Sequence, residues 1–148
     1  MVREYDNHMK ITFDSISENE KFARIVVAAF IARLNPTMEE MSDIKTAVSE
    51  AVTNCIIHGY ENEIKAIEME ANIIEKKVFL RITDYGKGIE NVEKAMEPLF
   101  TTKPELERSG MGFSFMEAFM DELAVSSERG KGTIVKMAKT IGKGRKTW

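Results

Sequence analysis

The sequence predicts an α+β fold: a two-layer sandwich of a mixed, mostly antiparallel sheet with helices on one face. Three observations lead there. Two long helical patterns come early in the chain, each opened by a capping-box spacing. Alternating apolar runs come later and pair up across short turns. The 148 residues, 43% hydrophobic and 30% charged, are enough for one domain with a sizeable core.

The elements follow in order. Residues 8–14 alternate, with Met9, Ile11 and Phe13 on one face, and read as a first strand. Ser17 and Glu20 have capping-box spacing and open a helix expected to reach about Leu34. Its apolar stripe is Phe22, Ile25, Val26, Ala29, Phe30 and Leu34. Glu20 and Arg24 lie one turn apart and suit a surface ion pair. Asn35-Pro36 stops that helix, and Thr37 with Glu40 opens the next.

The second helix carries the apolar positions Met41, Ile44, Val48, Ala51, Val52 and Cys55. Glu50 and Asn54, four residues apart, project together from the side opposite this stripe, joined by Ala47. Gly59 is expected to end the helix as a left-handed cap. Residues 67–74 and 78–83 form a hairpin. A short helix is possible at 91–97, and residues 98–109 show no period. A helix is expected from Phe113 to about Glu122, then strands at 123–127 and 133–138. Residues 1–138 read as one domain and 139–148 as a basic, disordered tail.

Composition removes several classes of function. A net charge of −3 provides no basic field for nucleic acid. One cysteine excludes an internal disulfide and a thiolate zinc cluster, and suits a reducing cytoplasm. The N-terminal stretch lacks the apolar segment of a signal peptide. No run reaches the ~18 apolar residues of a membrane span.

Four patterns carry chemistry. A carboxylate beside a carboxamide, as in Glu50 and Asn54, can accept a proton next to a hard-cation ligand. Asp84-x-Gly86-x-Gly88 leaves a strand, where glycines let the backbone approach a flat ligand and a buried carboxylate can accept from an exocyclic amine. Ser109-Gly-Met-Gly112 opens a helix whose uncrowded amides suit phosphate, with Arg108 beside it as a candidate phosphate partner. Gly130-Lys-Gly132-Thr133 joins two strands. Taken singly, each also reads as a polar stripe, a turn or a joint. Their order and spacing are the informative feature.

That order resembles the GHKL superfamily of ATP-binding domains over about residues 46–133. Three stretches are similar to the anti-sigma-F factor family of spore-forming bacteria: 19–30, Ser49 to Tyr60, and Pro98 to Phe113. The resemblance covers nearly the whole chain and implies the Bergerat-type ATP-binding fold. It implies a cytoplasmic homodimer that binds ATP or ADP with Mg²⁺. It implies a protein-serine/threonine kinase that captures a sporulation sigma factor (sigma F). It also implies phosphorylation of the anti-anti-sigma factor (stage II sporulation protein AA). Nucleotide-gated capture without kinase activity, or a switch kinase for a stress-response sigma factor, are the alternatives.

The resemblance also implies residue roles. Glu50 is the general base and Asn54 the Mg²⁺ ligand. Asp84 binds the adenine amino group, Gly86 and Gly88 frame the base, and Thr133 helps close the base pocket. Gly110 and Gly112, next to Ser109, give amides to phosphate. Thr101, Thr102 and Lys103 belong to a lid, with Arg108 near the γ-phosphate. Glu20 and Arg24 face the protein partners.

Overall fold

The computed structural model describes residues 4–96 and 112–142. The strands are β1 (Asn7–Asp14), β2 (Ala66–Ile74), β3 (Lys77–Asp84), β4 (Glu122–Glu128) and β5 (Gly132–Thr140). The helices are α1 (Glu18–Ile31), α2 (Met38–Asn54), α3 (Val92–Ala95) and α4 (Gly112–Phe119). The strands form one sheet in the order β1-β2-β3-β5-β4, and every described neighbouring pair is antiparallel.

Strand alternation sorts the sheet into two faces. One row runs Ile11–Met69–Ile82–Val135–Val125 across all five strands, and a second runs Met9–Ala71–Leu80–Met137–Leu123. These rows join Ile44, Val48, Val52 and Met116 in a single apolar core beneath the helices. The other face carries Lys10, Glu70, Arg81 and Lys136 in register. Helix α2 lies between α1 and α4 in the helical layer. Its central position explains why Ala47, expected beside the polar pair, is fully buried. Among the described residues no helix is long and apolar enough to cross a membrane.

The two capping boxes differ. At Thr37 the box forms: Oγ1 accepts from the Glu40 N–H at 3.0 Å, and Glu40 Oε1 accepts from the Thr37 N–H at 2.9 Å. At Ser17 it does not. Ser17 already has helical φ and ψ and makes no side-chain cap bond. Glu20 turns inward instead and accepts a short hydrogen bond from the Ser49 hydroxyl of α2. Arg24 Nε lies 3.3 Å from the same carboxylate. The ion pair forms, but its Glu20 end is buried between the two helices, 9% exposed, while Arg24 stays partly exposed.

The core face of α1 is also rotated from the expected stripe. Ala23, Val27, Ile31 and Leu34 are buried, whereas Phe22 and Ile25 remain 47% and 59% exposed. Val26 and Phe30 are half-buried at the edge. The apolar arc of α1 is wider than the strip that α2 and the sheet can cover. Boundaries shift by a few residues elsewhere. Helix α4 ends at Phe119, and β5 continues through Thr140 to the buried Ile141, beyond the expected end at 138.

Thr37→Ala should destabilise the protein by about 1 kcal/mol in urea melts, the usual cost of losing an N-cap. Ser17→Ala should stay within about 0.5 kcal/mol of wild type, as expected where no cap bond is lost.

Candidate nucleotide-binding site

The site is built where α2 runs out beneath the end of β3. After Asn54 the helix does not stop but widens into a π-helical turn, Cys55–Gly59, closed by the Tyr60 N–H donating to the Cys55 carbonyl at 2.9 Å. Such i→i+5 turns are frequent at functional sites. This one carries Gly59 to the carboxylate of Asp84, the last residue of β3. Cys55, buried at the start of the turn, is electrostatically coupled to Asp84. A Cβ on Gly59 would lie 2.8 Å from the Asp84 carboxylate carbon and both its oxygens.

Gly59 is thus not the left-handed cap expected. Positive φ falls instead on Glu61 (50°) and Asn62 (67°). The helix end widens rather than reverses, so the glycine is needed for space against Asp84. Gly86 serves the same closeness from the other side. Its Cβ would lie 2.0 Å from the Gly59 carbonyl oxygen, which accepts from the Lys87 N–H at 3.0 Å. Two bare backbone stretches therefore interlock under the carboxylate.

Asp84 is 4% exposed. Burial raises its carboxyl pKa above the usual carboxylate range, offset in part by donors from Gly86, Cys55 and Thr133. The Gly86 N–H donates to Oδ1 at 2.9 Å. Burial, with Asp84 adding its charge, pushes the Cys55 thiol well up, so Cys55 stays a neutral donor. Thr133 faces Asp84 across the β3–β5 ladder and is itself buried. Its hydroxyl bonds Ser127 at 2.8 Å, and Ser127 accepts from the Ile89 N–H at 2.7 Å. Gly88 (φ 79°) packs against the Glu128 carbonyl, where a Cβ would lie 2.2 Å away. It holds the loop to the β4–β5 turn.

Tyr60 closes the outer side. Its hydroxyl accepts from the Tyr85 N–H at 2.8 Å and donates to the Ala66 carbonyl at 2.5 Å. Cys55, Gly59, Tyr60 and Ser127 are thus parts of the site that motif spacing did not single out. A buried thiol one residue past Asn54 was the available signal for the first.

Of the expected residues, the fold brings Asp84, Gly86, Gly88 and Thr133 together. Glu50 and Asn54, both half-buried, sit on the last turns of α2, directly before the turn that grips Asp84. Gly112 starts α4, which packs on α2. Thr101, Thr102, Lys103, Arg108, Ser109 and Gly110 lie outside the described residues. Glu20 and Arg24 lie on α1, joined to Ser49 beside Glu50.

One feature suits a purine nucleotide: a buried acceptor for an amino group, held where glycine lets two backbone stretches close on it. Among the described residues no cluster of three His, Cys, Asp or Glu could hold a metal. A Mg²⁺ ion here would be held by the Asn54 carboxamide oxygen and by phosphate oxygens, a donor set that suits it.

Comparison with known proteins places the chain in a family. Residues 16–139 match the family model of the histidine kinase-like ATPase domain. The chain is 62% identical to the anti-sigma F factor of Caldanaerobacter subterraneus subsp. tengcongensis, over 96% of this chain and 99% of that protein. It is 63% identical to the anti-sigma F factor of Thermoanaerobacter sp. (strain X514), over 94% and 97%. With the anti-sigma F factor of Clostridium kluyveri (strain ATCC 8527) it shares 59% identity over 93% and 96%. Among solved structures, the RsbU and RsbW domains of Rv1364c from Mycobacterium tuberculosis superpose with a TM-score of 0.67 at 20% identity. That match covers 91% of this chain and 32% of the other, and shows a shared fold.

The raised pKa of Asp84 has a consequence for stability. Its folded-state value lies above the unfolded one, so the neutral carboxyl's stabilisation is full below the unfolded value. It is lost as the pH rises through the folded value. Asp84→Asn should therefore be at least as stable as wild type at pH 7. The gap should widen as pH climbs out of the acid range and then level off, as thermal melts across pH 3–8 would read. The same variant should bind ATP at least about 10-fold more weakly, since a buried acceptor is replaced where a ligand donor arrives.

Proposed function

This chain belongs to the anti-sigma F factor family within the histidine kinase-like ATPase domains, and from that premise we propose that it is a cytoplasmic switch with two activities. It captures the sporulation sigma factor (sigma F) in its ATP state. It also phosphorylates a serine of the anti-anti-sigma factor and so inactivates that antagonist. The observation that carries this reading is the continuity of α2. One helix presents Glu50 and Asn54, and its π-helical extension grips the buried Asp84.

ATP supplies the transferable γ-phosphoryl group, and Mg²⁺ neutralises the charge that develops on it. The protein does the rest by positioning. Asp84 accepts from the purine amino group and fixes the base. Gly59 and Gly86 let the backbone close on that carboxylate and hold it in place, and Thr133 helps close the pocket. Asn54 offers its carboxamide oxygen to the metal. Glu50, one helical turn earlier, takes the proton from the attacking serine hydroxyl. Gly112 at the start of α4 offers a backbone amide to phosphate, together with Gly110. The segment containing Thr101, Thr102, Lys103, Arg108 and Ser109 serves as the lid over the phosphates.

Partner recognition is assigned to α1. Phe22 and Ile25 stand out from the helix among charged neighbours, the composition of a protein-binding face. Arg24 is the polar member of this face. Glu20 acts from below it, since its carboxylate lies against Arg24 and Ser49. The same face supports assembly as a homodimer.

The test is transfer of radiolabelled γ-phosphate from ATP to candidate anti-anti-sigma proteins. Wild type should label one partner. Glu50→Gln should lose at least about 100-fold in rate, the scale of a general base, while still binding ATP. Unchanged transfer in Glu50→Gln would remove Glu50 from the chemistry. ATP binding and sigma capture without any transfer would leave a nucleotide-gated capture module. Arg24→Ala should weaken binding of both protein partners by about 10-fold, as for a moderate interface residue, in titration calorimetry.

A further inference from the structure

The first three backbone N–H groups after Asp84 all have acceptors, and each acceptor comes from a different place. The Gly86 N–H donates to Asp84 Oδ1 at 2.9 Å. The Lys87 N–H donates to the Gly59 carbonyl at 3.0 Å. The Tyr85 N–H, first of the series, donates to the Tyr60 hydroxyl at 2.8 Å. Of these acceptors only the Tyr60 hydroxyl belongs to a side chain of another segment, so the loss of one oxygen atom would release the Tyr85 amide.

Tyr60 is held firmly enough to act as an anchor. Its N–H closes the π-helical turn at the end of α2, donating to the Cys55 carbonyl at 2.9 Å. Its side chain is buried, and its hydroxyl donates to the carbonyl of Ala66, the first residue of β2, at 2.5 Å. A hydroxyl carries one proton and two lone pairs. The proton is committed to Ala66, so a lone pair meets the Tyr85 N–H. One oxygen thus ties together the end of α2, the start of β2 and the exit from β3.

We propose that Tyr60 is a positioning residue for purine binding: its hydroxyl fixes the Asp84–Tyr85 peptide plane, and through it the orientation in which the Asp84 carboxylate accepts the 6-amino group. This rests on the reading of Asp84 as the base-binding residue. The link is the turn that Asp84 makes with Gly86, in which the carboxylate accepts from the N–H two residues on. In such a turn the orientation of the carboxylate follows the backbone between the two residues. That backbone is the peptide whose N–H Tyr60 holds. Without the hydroxyl, the Tyr85 N–H and the Ala66 carbonyl lose a shared partner, and the peptide is free to turn toward other acceptors. The loss falls on the ligand group that needs one orientation of Asp84, the amino group, and not on the ring, sugar or phosphates.

The experiment is titration calorimetry of MgATP, and of the Mg²⁺ complex of purine riboside 5′-triphosphate, against wild type and Tyr60→Phe. The second nucleotide lacks the 6-amino group, so the ratio of the two affinities reads the contact between that group and Asp84. Wild type should prefer ATP. Tyr60→Phe should lose about 3- to 10-fold for ATP, the scale of one hydrogen bond, and less than about 2-fold for the analogue. A partly unfolded variant would change the stoichiometry and leave the ratio intact. Equal losses for both nucleotides, or no loss for either, would reduce Tyr60 to packing and overturn the proposal. Wild type that binds the two nucleotides equally would overturn the base-binding reading of Asp84 itself, an outcome separate from an unchanged ratio between the two proteins. If Tyr60→Phe fails to fold, amide exchange in wild type decides. The Tyr85 N–H should be protected at least about 100-fold, and MgATP should raise that protection more than the analogue does. Exchange at the open-chain rate, or the same rise with both nucleotides, would overturn the proposal.

Discussion

Everything at the nucleotide end of this fold depends on one buried carboxylate. Asp84 sits at the edge of an apolar core, where its charge is costly, and its pKa is raised accordingly. A position of that kind persists only if donors surround it. The loop after β3 supplies the Gly86 N–H at 2.9 Å, and the facing strand β5 and the end of α2 close around the carboxylate. The two glycines are the sterically necessary complement, because donors can come close only where side chains are missing. The local backbone is thereby committed to a cost in stability that a ligand's amino group can offset.

Helix α2 carries this constraint into the rest of the molecule. It is buried on three sides by α1, the sheet and α4. Its start is secured by the Thr37–Glu40 box and its end by the contact with Asp84. Glu50 and Asn54 lie between these anchors, on rigid helix rather than on loop. Side chains held this way keep a fixed geometry.

The α1–α2 seam adds a second polar contact inside an otherwise apolar interface. Glu20 accepts from Ser49 and lies against Arg24. Ser49 is adjacent in sequence to Glu50, so the helix assigned to partner recognition touches the backbone neighbour of the proposed base. The outward excess of apolar surface on α1, at Phe22 and Ile25, remains for a protein partner.

Much of this was legible in the sequence. Alternation placed the strands within a residue or two, because a strand with one buried face must repeat every second position. Proline and the Thr37–Glu40 spacing placed the start of α2. Motif order singled out Asp84, Gly86, Gly88, Thr133, Glu50 and Asn54 as candidates and implied the family. What the sequence left open were choices made by neighbours distant along the chain. Glu20 had two possible partners, its own helix start or Ser49 across the seam, and burial between helices selected the second. The apolar arc of α1 was too wide to show which strip would be covered. Gly59 looked like a cap, and only the approach of Asp84 made it a space requirement. Local periodicity and chain stereochemistry determine the elements. Which polar groups are buried together, as with Cys55 and Asp84, is decided by packing, because it depends on contacts no single segment contains.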